Sequence, residues 1–260
     1  MCSKKSLNLD LVIFDLDGTL IDSNGIYNEL DIELVRLLGE NKNSEEIIAE
    51  RNVFLKRNKG GDAYLNYCEY LKTKYSSNLS KEEILQYRRN LSKEFLKKVK
   101  YKQDADKIIK FLKEHNIPIA LATVSRREDI NIYINENPNI KNKCNLQNYF
   151  DCILTKDDVT KKKPDPEVYN KIIKKFEIKD LSRCIVVEDS LTGVLAAKNA
   201  NLNVAVIYDK YADKDRTEIN KLADYRVDNF NELIELLKKM EGEILWYHHV
   251  FLDKGKAINF

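Results

Sequence analysis

Short apolar runs, separated by stretches of helical pattern, limit what this chain can fold into more than any other feature. Leu9–Phe14, Ile117–Ala122, Phe150–Leu154, Cys184–Val187 and Val204–Tyr208 are strand-length and apolar at nearly every position. Such runs read as strands buried on both faces. Between the later ones lie helical spacings: Ile130/Tyr133/Ile134, Val168/Ile172/Ile173/Phe176 and Val194/Leu195/Ala197. Strand, helix, strand in this rhythm predicts an α/β fold whose parallel sheet is covered on both sides. A further strand is expected near Tyr225–Val227, before a last helix over Glu232–Met240.

The rhythm breaks once. Residues 22–98 carry helical periodicity and no strand, far more chain than an ordinary connection needs. Leu30/Leu34/Leu37/Leu38 ahead of Gly39 gives one helix and its stop. Ile47/Ile48 and Tyr64/Leu65/Cys68/Leu71 give two more, and Ser80-Lys81-Glu82-Glu83 is a capping-box signature opening a fourth. The expectation is a catalytic core of residues 1–21 and 99–240 and an inserted all-helical cap domain of residues 22–98. A C-terminal extension, 241–260, falls outside the rhythm. Gly60-Gly61 is the flexible loop of the insert, and Ile244-Leu245-Trp246-Tyr247 is apolar enough to dock on the body or on a second subunit, with its own body favoured.

Charge narrows the function classes. Lys+Arg 44 against Asp+Glu 42 leaves +2, so the chain is not polarised toward nucleic acid or acidic membranes. No apolar run approaches the roughly 20 residues that span a bilayer, and Met1–Leu9 lacks the apolar stretch of a secretory signal. The five cysteines are widely spaced with no CxxC pair, which argues against disulfides or zinc and for a reducing compartment. A cytoplasmic protein with no nucleic-acid or membrane partner is expected; oligomeric state is not encoded legibly.

Ligands of an open parallel sheet sit at the carboxyl ends of its strands. After the first strand stands Asp15-Leu16-Asp17-Gly18-Thr19, and after the second Thr123-Val124-Ser125. Beyond the third comes Lys161-Lys162-Lys163-Pro164-Asp165-Pro166, and after the fourth Glu188-Asp189-Ser190. Asp15 can attack phosphorus as the anion. Asp17 can serve as the acid for the leaving oxygen and as the base for water. Glu188 and Asp189 would repel a phosphate dianion unless neutralised, and magnesium held with Asp15 does that. Lys163 adds a point charge, and the Thr123 hydroxyl with neighbouring amides, Val124 among them, can grip phosphate oxygens.

Phe-Asp-Leu-Asp-Gly-Thr-Leu (14–20), Leu-Ala-Thr-Val-Ser (121–125), Lys-Pro-Asp-Pro-Glu-Val-Tyr (163–169) and Val-Glu-Asp-Ser-Leu-Thr-Gly-Val-Leu-Ala-Ala (187–197) resemble, in order and spacing, the four motifs of the haloacid dehalogenase superfamily. The helical insert is similar to the cap of its beta-phosphoglucomutase-like branch. The resemblance implies a Rossmann-like core, with Asp15 as nucleophile, Asp17 as acid/base, Thr123 and Lys163 as phosphate grips, and Glu188 and Asp189 as ligands of Mg2+. The Asp17 backbone carbonyl would be a further ligand. Dehalogenases lack an acid where Asp17 stands, so phosphate esters are favoured. Mutases commonly carry a histidine where Tyr27 falls, which weakens a sugar-phosphate mutase as the alternative. A non-catalytic binding protein of the same fold is the more distant one. The expected partner is a small phosphorylated metabolite.

Other residues are ambiguous. Arg126 could meet a second anion on the substrate or lie on the surface, and Ser125 stands beside it. Ser190 reads as a helix cap. Lys56, Arg57 and Lys59 flank Gly60-Gly61, and Arg88 and Arg89 lie on a later cap helix; they are candidates for substrate contact, though a solvated helix face explains most of them. His248 and His249 are adjacent and so make a poor chelate.

Overall fold

A computed structural model of the chain describes Leu7, residues 9–58 and residues 62–240. Lys59, Gly60, Gly61 and the 241–260 extension, with its histidine pair, lie outside the described residues. Six parallel strands form one sheet: β1 (Leu11–Phe14), β2 (Ile119–Ala122), β3 (Cys152–Leu154), β4 (Cys184–Glu188), β5 (Asn203–Ile207) and β6 (Tyr225–Val227). Their spatial order is β3-β2-β1-β4-β5-β6. β1, β2 and β3 each begin two residues later than their apolar runs, because Leu9, Ile117 and Phe150 are buried ahead of the paired residues.

Strand side chains alternate between two cores, as a two-residue period requires. Val12, Phe14, Ile119, Leu121, Ile185 and Val187 face one side, while Leu11, Ile13, Ala120, Ala122, Val186 and Val204 face the other. β1, β2 and β4 are buried along their whole length, whereas the edge strand β6 alternates, with Arg226 exposed between Tyr225 and Val227.

Four helices precede β2 as the insert: α1 (Ile26–Leu37), α2 (Ser44–Arg57), α3 (Ala63–Lys74) and α4 (Lys81–Leu96). They share a core of their own around Leu34, Ile47, Tyr67, Cys68, Leu71 and Ile84. Ser80 and Glu83 close the reciprocal capping box at the start of α4. Where chain crosses between insert and sheet, the two connections run side by side. Asp22 N donates to Lys100 O at 3.0 Å, and Lys102 N to Leu20 O at 2.9 Å.

Seven further helices follow: α5 (Ala105–Glu114), α6 (Arg127–Asn135), α7 (Pro138–Cys144), α8 (Leu146–Tyr149), α9 (Glu167–Lys175), α10 (Leu191–Asn199) and α11 (Arg216–Leu222). The final helical stretch covers 230–240. α5 was not anticipated, although Ala105, Ile108, Ile109 and Leu112 have the spacing of a buried helix face. α5 to α8 and the final stretch cover one side of the sheet; α9 to α11 cover the other. Cys68, Cys144, Cys152 and Cys184 are all buried and unpaired. Among the described residues no helix is long and apolar enough to cross a membrane.

Candidate active site

Chain order places the acids. β1 and β4 are central neighbours, and the sheet grows outward from them in both directions. The crevice at such a switch point is where open sheets bind ligands. Phe14 pairs with Val187, so Asp15 and Glu188 leave the sheet beside each other. Asp15 N donates to Val187 O at 2.9 Å, which holds the strand end in register.

Lys163 arrives from the segment leading into α9. Its ammonium donates to Asp15 Oδ1 at 2.7 Å, Glu188 Oε1 at 2.5 Å and Ala122 O at 2.9 Å. Its side chain is 4% exposed, whereas Lys161 and Lys162 are exposed. Burial opposes the Lys163 charge, but Asp15 and Glu188 outweigh it and hold its pKa well above the ordinary lysine value. Tyr169 of α9 donates its hydroxyl to Glu188 Oε1 at 2.9 Å, and its ring lies 5.2 Å from the Lys163 ammonium.

The acids outnumber the cation. Asp15, Glu188 and Asp189 are buried and each offers an oxygen within 4.8 Å of the others. Three carboxylates against the one ammonium that bridges Asp15 and Glu188 leave two negative charges uncompensated. Burial first, and the Glu188 charge second, push the Asp15 pKa well above the carboxylate range. The same two causes raise Asp189 to about 7, against the pull of its Thr19 hydrogen bond. An all-oxygen, doubly deficient cluster fits a hard divalent cation. The three acids are not equally free. Glu188 spends Oε1 on Lys163 and Tyr169, and Oε2 on Asp189 N (3.2 Å) and the Ser190 hydroxyl (3.3 Å). Asp189 takes the Thr19 hydroxyl on Oδ1 at 2.8 Å and only a long 3.4 Å contact from Asn24 on Oδ2. Asp15 and Asp189 therefore keep oxygen for a cation, with Glu188 behind them.

Two glycines make room. Gly18 has φ +83°, and a Cβ there would collide with Asn24 and with Asp189 Oδ2. A Cβ at Gly193 would strike the Glu188 carboxylate. Both are close approaches that only glycine permits.

Asp17 stands apart from Lys163 and is held by hydroxyls. Ser23 donates to its Oδ1 at 2.6 Å, and Ser125 and Thr123 to its Oδ2 at 2.5 and 3.3 Å. Ser125 is thus placed on Asp17. The Thr123 hydroxyl also accepts from Ser125 N at 3.0 Å, and Val124 is exposed, its amide meeting no acceptor among the described residues. Arg126 donates to both oxygens of Asp129 (3.0 and 2.6 Å) and pairs with Glu128 at 3.3 Å. Its charge is already matched, because α6 opens with two acids. Ser190 caps α10 by accepting from Gly193 N at 3.2 Å.

Thr19, Ser23, Asn24 and Tyr169 carry site contacts that the sequence did not single out. Thr19 and Tyr169 lie within the quoted motifs; Ser23 and Asn24 follow the first by a few residues, without a pattern of their own. Among the cap cations Arg88 is buried, so the solvated-face explanation does not hold for it; Arg51 is buried as well. Lys56 and Arg57 are exposed.

A parallel sheet with an inserted helical unit and a buried carboxylate cluster at its switch point defines a Rossmann-like α/β protein with an acidic site. Residues 12–207 match the model of the haloacid dehalogenase-like hydrolases, and the chain belongs to that family. Among curated relatives, it is 28% identical over 228 residues to a bifunctional riboflavin kinase/FMN phosphatase of Arabidopsis thaliana, covering 84% of this chain. The match spans only 55% of that longer protein. A phosphorylated carbohydrates phosphatase of Thermotoga maritima is 27% identical over 194 residues, covering 75% of this chain and 82% of the relative. Among solved structures, a Thermotoga maritima protein provisionally titled beta-phosphoglucomutase superposes with a TM-score of 0.72. It covers 89% of this chain and 99% of its own at 24% identity, a likeness of fold.

Proposed function

We propose that the chain is a magnesium-dependent phosphatase of small phosphate monoesters, working through an aspartyl phosphate on Asp15. The observation that carries this reading is the unequal setting of its two motif aspartates: Asp15 lies among acids against Lys163, and Asp17 is held by three hydroxyls. Curated relatives that act on phosphorylated carbohydrates and on glycerol 3-phosphate support the substrate class.

Asp15 and Asp189, with Glu188 behind them, would hold the magnesium ion. When bound it neutralises the acids and polarises a phosphate oxygen. An Asp15 oxygen bonds to phosphorus as the ester P–O bond breaks, and the departing oxygen takes its proton from Asp17. Asp17, now a carboxylate, removes a proton from water. The water oxygen bonds to phosphorus, the Asp15–phosphorus bond breaks, and inorganic phosphate leaves. Lys163, the Thr123 hydroxyl and the Val124 amide would grip the phosphoryl oxygens. Residues 22–98 would close as a cap, hinged near Asp22–Ser23 and Lys98–Lys102, and exclude bulk water.

Purified protein with magnesium should release phosphate from para-nitrophenyl phosphate and from members of a phosphometabolite panel. Isomer formation from hexose 1-phosphates without phosphate release would sink the phosphatase reading.

A further inference from the structure

A cavity of about 640 Å³ opens above Asp17 and ends against the cap. Core residues Val124, Ser125, Arg126 and Lys156 line one side; Tyr27, Tyr64, Leu85, Arg88 and Ser92 line the other. Leu85, Arg88 and Ser92 fall three and four apart on α4, so they share one helix face. Behind this wall lies a second buried charge cluster. Asp31 of α1, fully buried, accepts from Arg51 Nη1 on Oδ2 and from Arg88 Nε on Oδ1, each at 2.9 Å.

The two arginines are not equally satisfied. Arg51 also donates to Tyr27 O (3.1 Å), Asn28 Oδ1 (2.7 Å) and Asn52 Oδ1 (2.9 Å). Arg88 has Asp31 for its Nε, and its Nη2 is buried without a hydrogen-bond partner. The Arg88 guanidinium stacks on the Tyr64 ring, 3.8 Å from its centroid, and the residue is 8% exposed. Two guanidiniums on one carboxylate leave a surplus positive charge inside the cap wall. Rim residues Asp62 and Arg89 are exposed and screened by water. Of the cavity's other cations, Arg126 is committed to Asp129 and Glu128, and Lys156 is a half-buried lysine on the core side, not in the cap wall.

Resting on the phosphatase reading above, we propose that Arg88 sets substrate class: the phosphate monoester carries a second oxyanion, which pairs with the Arg88 guanidinium. A buried, unpartnered N–H on a charge in excess is costly until an anion meets it. Guanidinium favours an oxyanion, carboxylate or phosphate, because its planar fork matches two oxygens. The stack on Tyr64 holds that plane before the ligand arrives, so less order is lost on binding. The cavity joins Arg88 to Asp17, which confines the substrate to a compact molecule with anionic groups at both ends.

Binding of matched ligands to magnesium-loaded Asp15→Asn protein tests this by calorimetry. One pair is 2-phosphoglycolate against ethyl phosphate; the other is a pentose bisphosphate against the pentose 5-phosphate. In at least one pair the doubly anionic member should bind roughly tenfold to a hundredfold more tightly. The pair that gains tells carboxylate from phosphate. Adding Arg88→Gln should shrink that gain to under about threefold, and Arg88→Lys should leave an intermediate gain, since the charge stays and the fork goes. Equal binding within both pairs overturns the proposal without any cap variant, so it does not depend on Arg88→Gln folding. So does a gain that survives Arg88→Gln. Phosphate release by the wild-type protein is scored separately: ligand discrimination without turnover defeats the phosphatase reading and leaves the subsite standing.

Discussion

The protein holds two buried clusters of charge with opposite imbalance. At the sheet edge three carboxylates share one ammonium; in the cap two guanidiniums share one carboxylate. Each cluster is left unbalanced by the polypeptide itself. On the readings proposed above, the acids take a metal and a phosphoryl group, and the cap cations take an anion at the other end of the same substrate. Charge left unbalanced in a low-dielectric interior is expensive, so such imbalance marks binding more reliably than the balanced pairs on the surface do.

Removing the nucleophile should have the largest effect. Asp15→Asn keeps the shape, and phosphate release from para-nitrophenyl phosphate should fall on the order of 10⁴-fold or more while circular dichroism stays native. Turnover persisting above that level would remove Asp15 from its role.

The same Asp→Asn change should then act with opposite sign in the two clusters. Asp31→Asn leaves two buried guanidiniums without their carboxylate and should cost about 3–5 kcal/mol, read as a lower midpoint in urea. Asp189→Asn relieves a crowded acid and should raise the thermal midpoint of metal-free protein at pH 8. A loss at both positions would erase the distinction between the clusters.

Proton linkage sharpens the contrast. The folded pKa of Asp189, about 7, lies above its ordinary 3.8. Its favourable contribution to metal-free stability is therefore full below that ordinary value and lost as pH rises through 7. Magnesium must displace the same proton, so its affinity should weaken as pH falls below 7, by about tenfold per unit for this proton and more steeply where Asp15 also gives one up. Calorimetric titrations at pH 8, 7 and 6 measure the slope, and a flat profile would mean that Asp189 holds no metal.

The hydroxyls around Asp17 should matter least. Ser125→Ala or Ser23→Ala each deletes one hydrogen bond, about 1 kcal/mol, and should lower kcat about fivefold with KM little changed. A change confined to KM would place Ser125 on the substrate instead.

Much of the sheet was legible from the residues because burial on both faces leaves a dense apolar run that polar segments cannot imitate. The acids were legible because they stand where those runs stop: Asp15, Glu188 and Asp189 each end a strand or follow one directly. α5 has the spacing of a buried helix face in Ala105, Ile108, Ile109 and Leu112, but it stands between the insert and β2, outside the strand–helix alternation. The roles of Arg88 and Arg126 stayed open in the sequence for a deeper reason. An arginine on a helix looks the same whether it faces water or a neighbouring helix, and its partner can be far along the chain. Asp31 lies 57 residues before Arg88. Arg126, by contrast, has its partner three residues away, yet nothing in the local pattern says that Asp129 will turn back to it.

Local sequence therefore determined the strands, the capping box at Ser80 and which acids reach the sheet edge, because short-range periodicity and turn chemistry act along the chain. Tertiary structure alone decided that Glu188 serves Lys163 before any cation and that Ser23 and Ser125 grip Asp17. It also buried the Asp31 cluster, with Arg88 left one partner short. Those outcomes depend on which distant side chains meet once water is excluded, and Coulombic and hydrogen-bond energies are settled only in that packed interior.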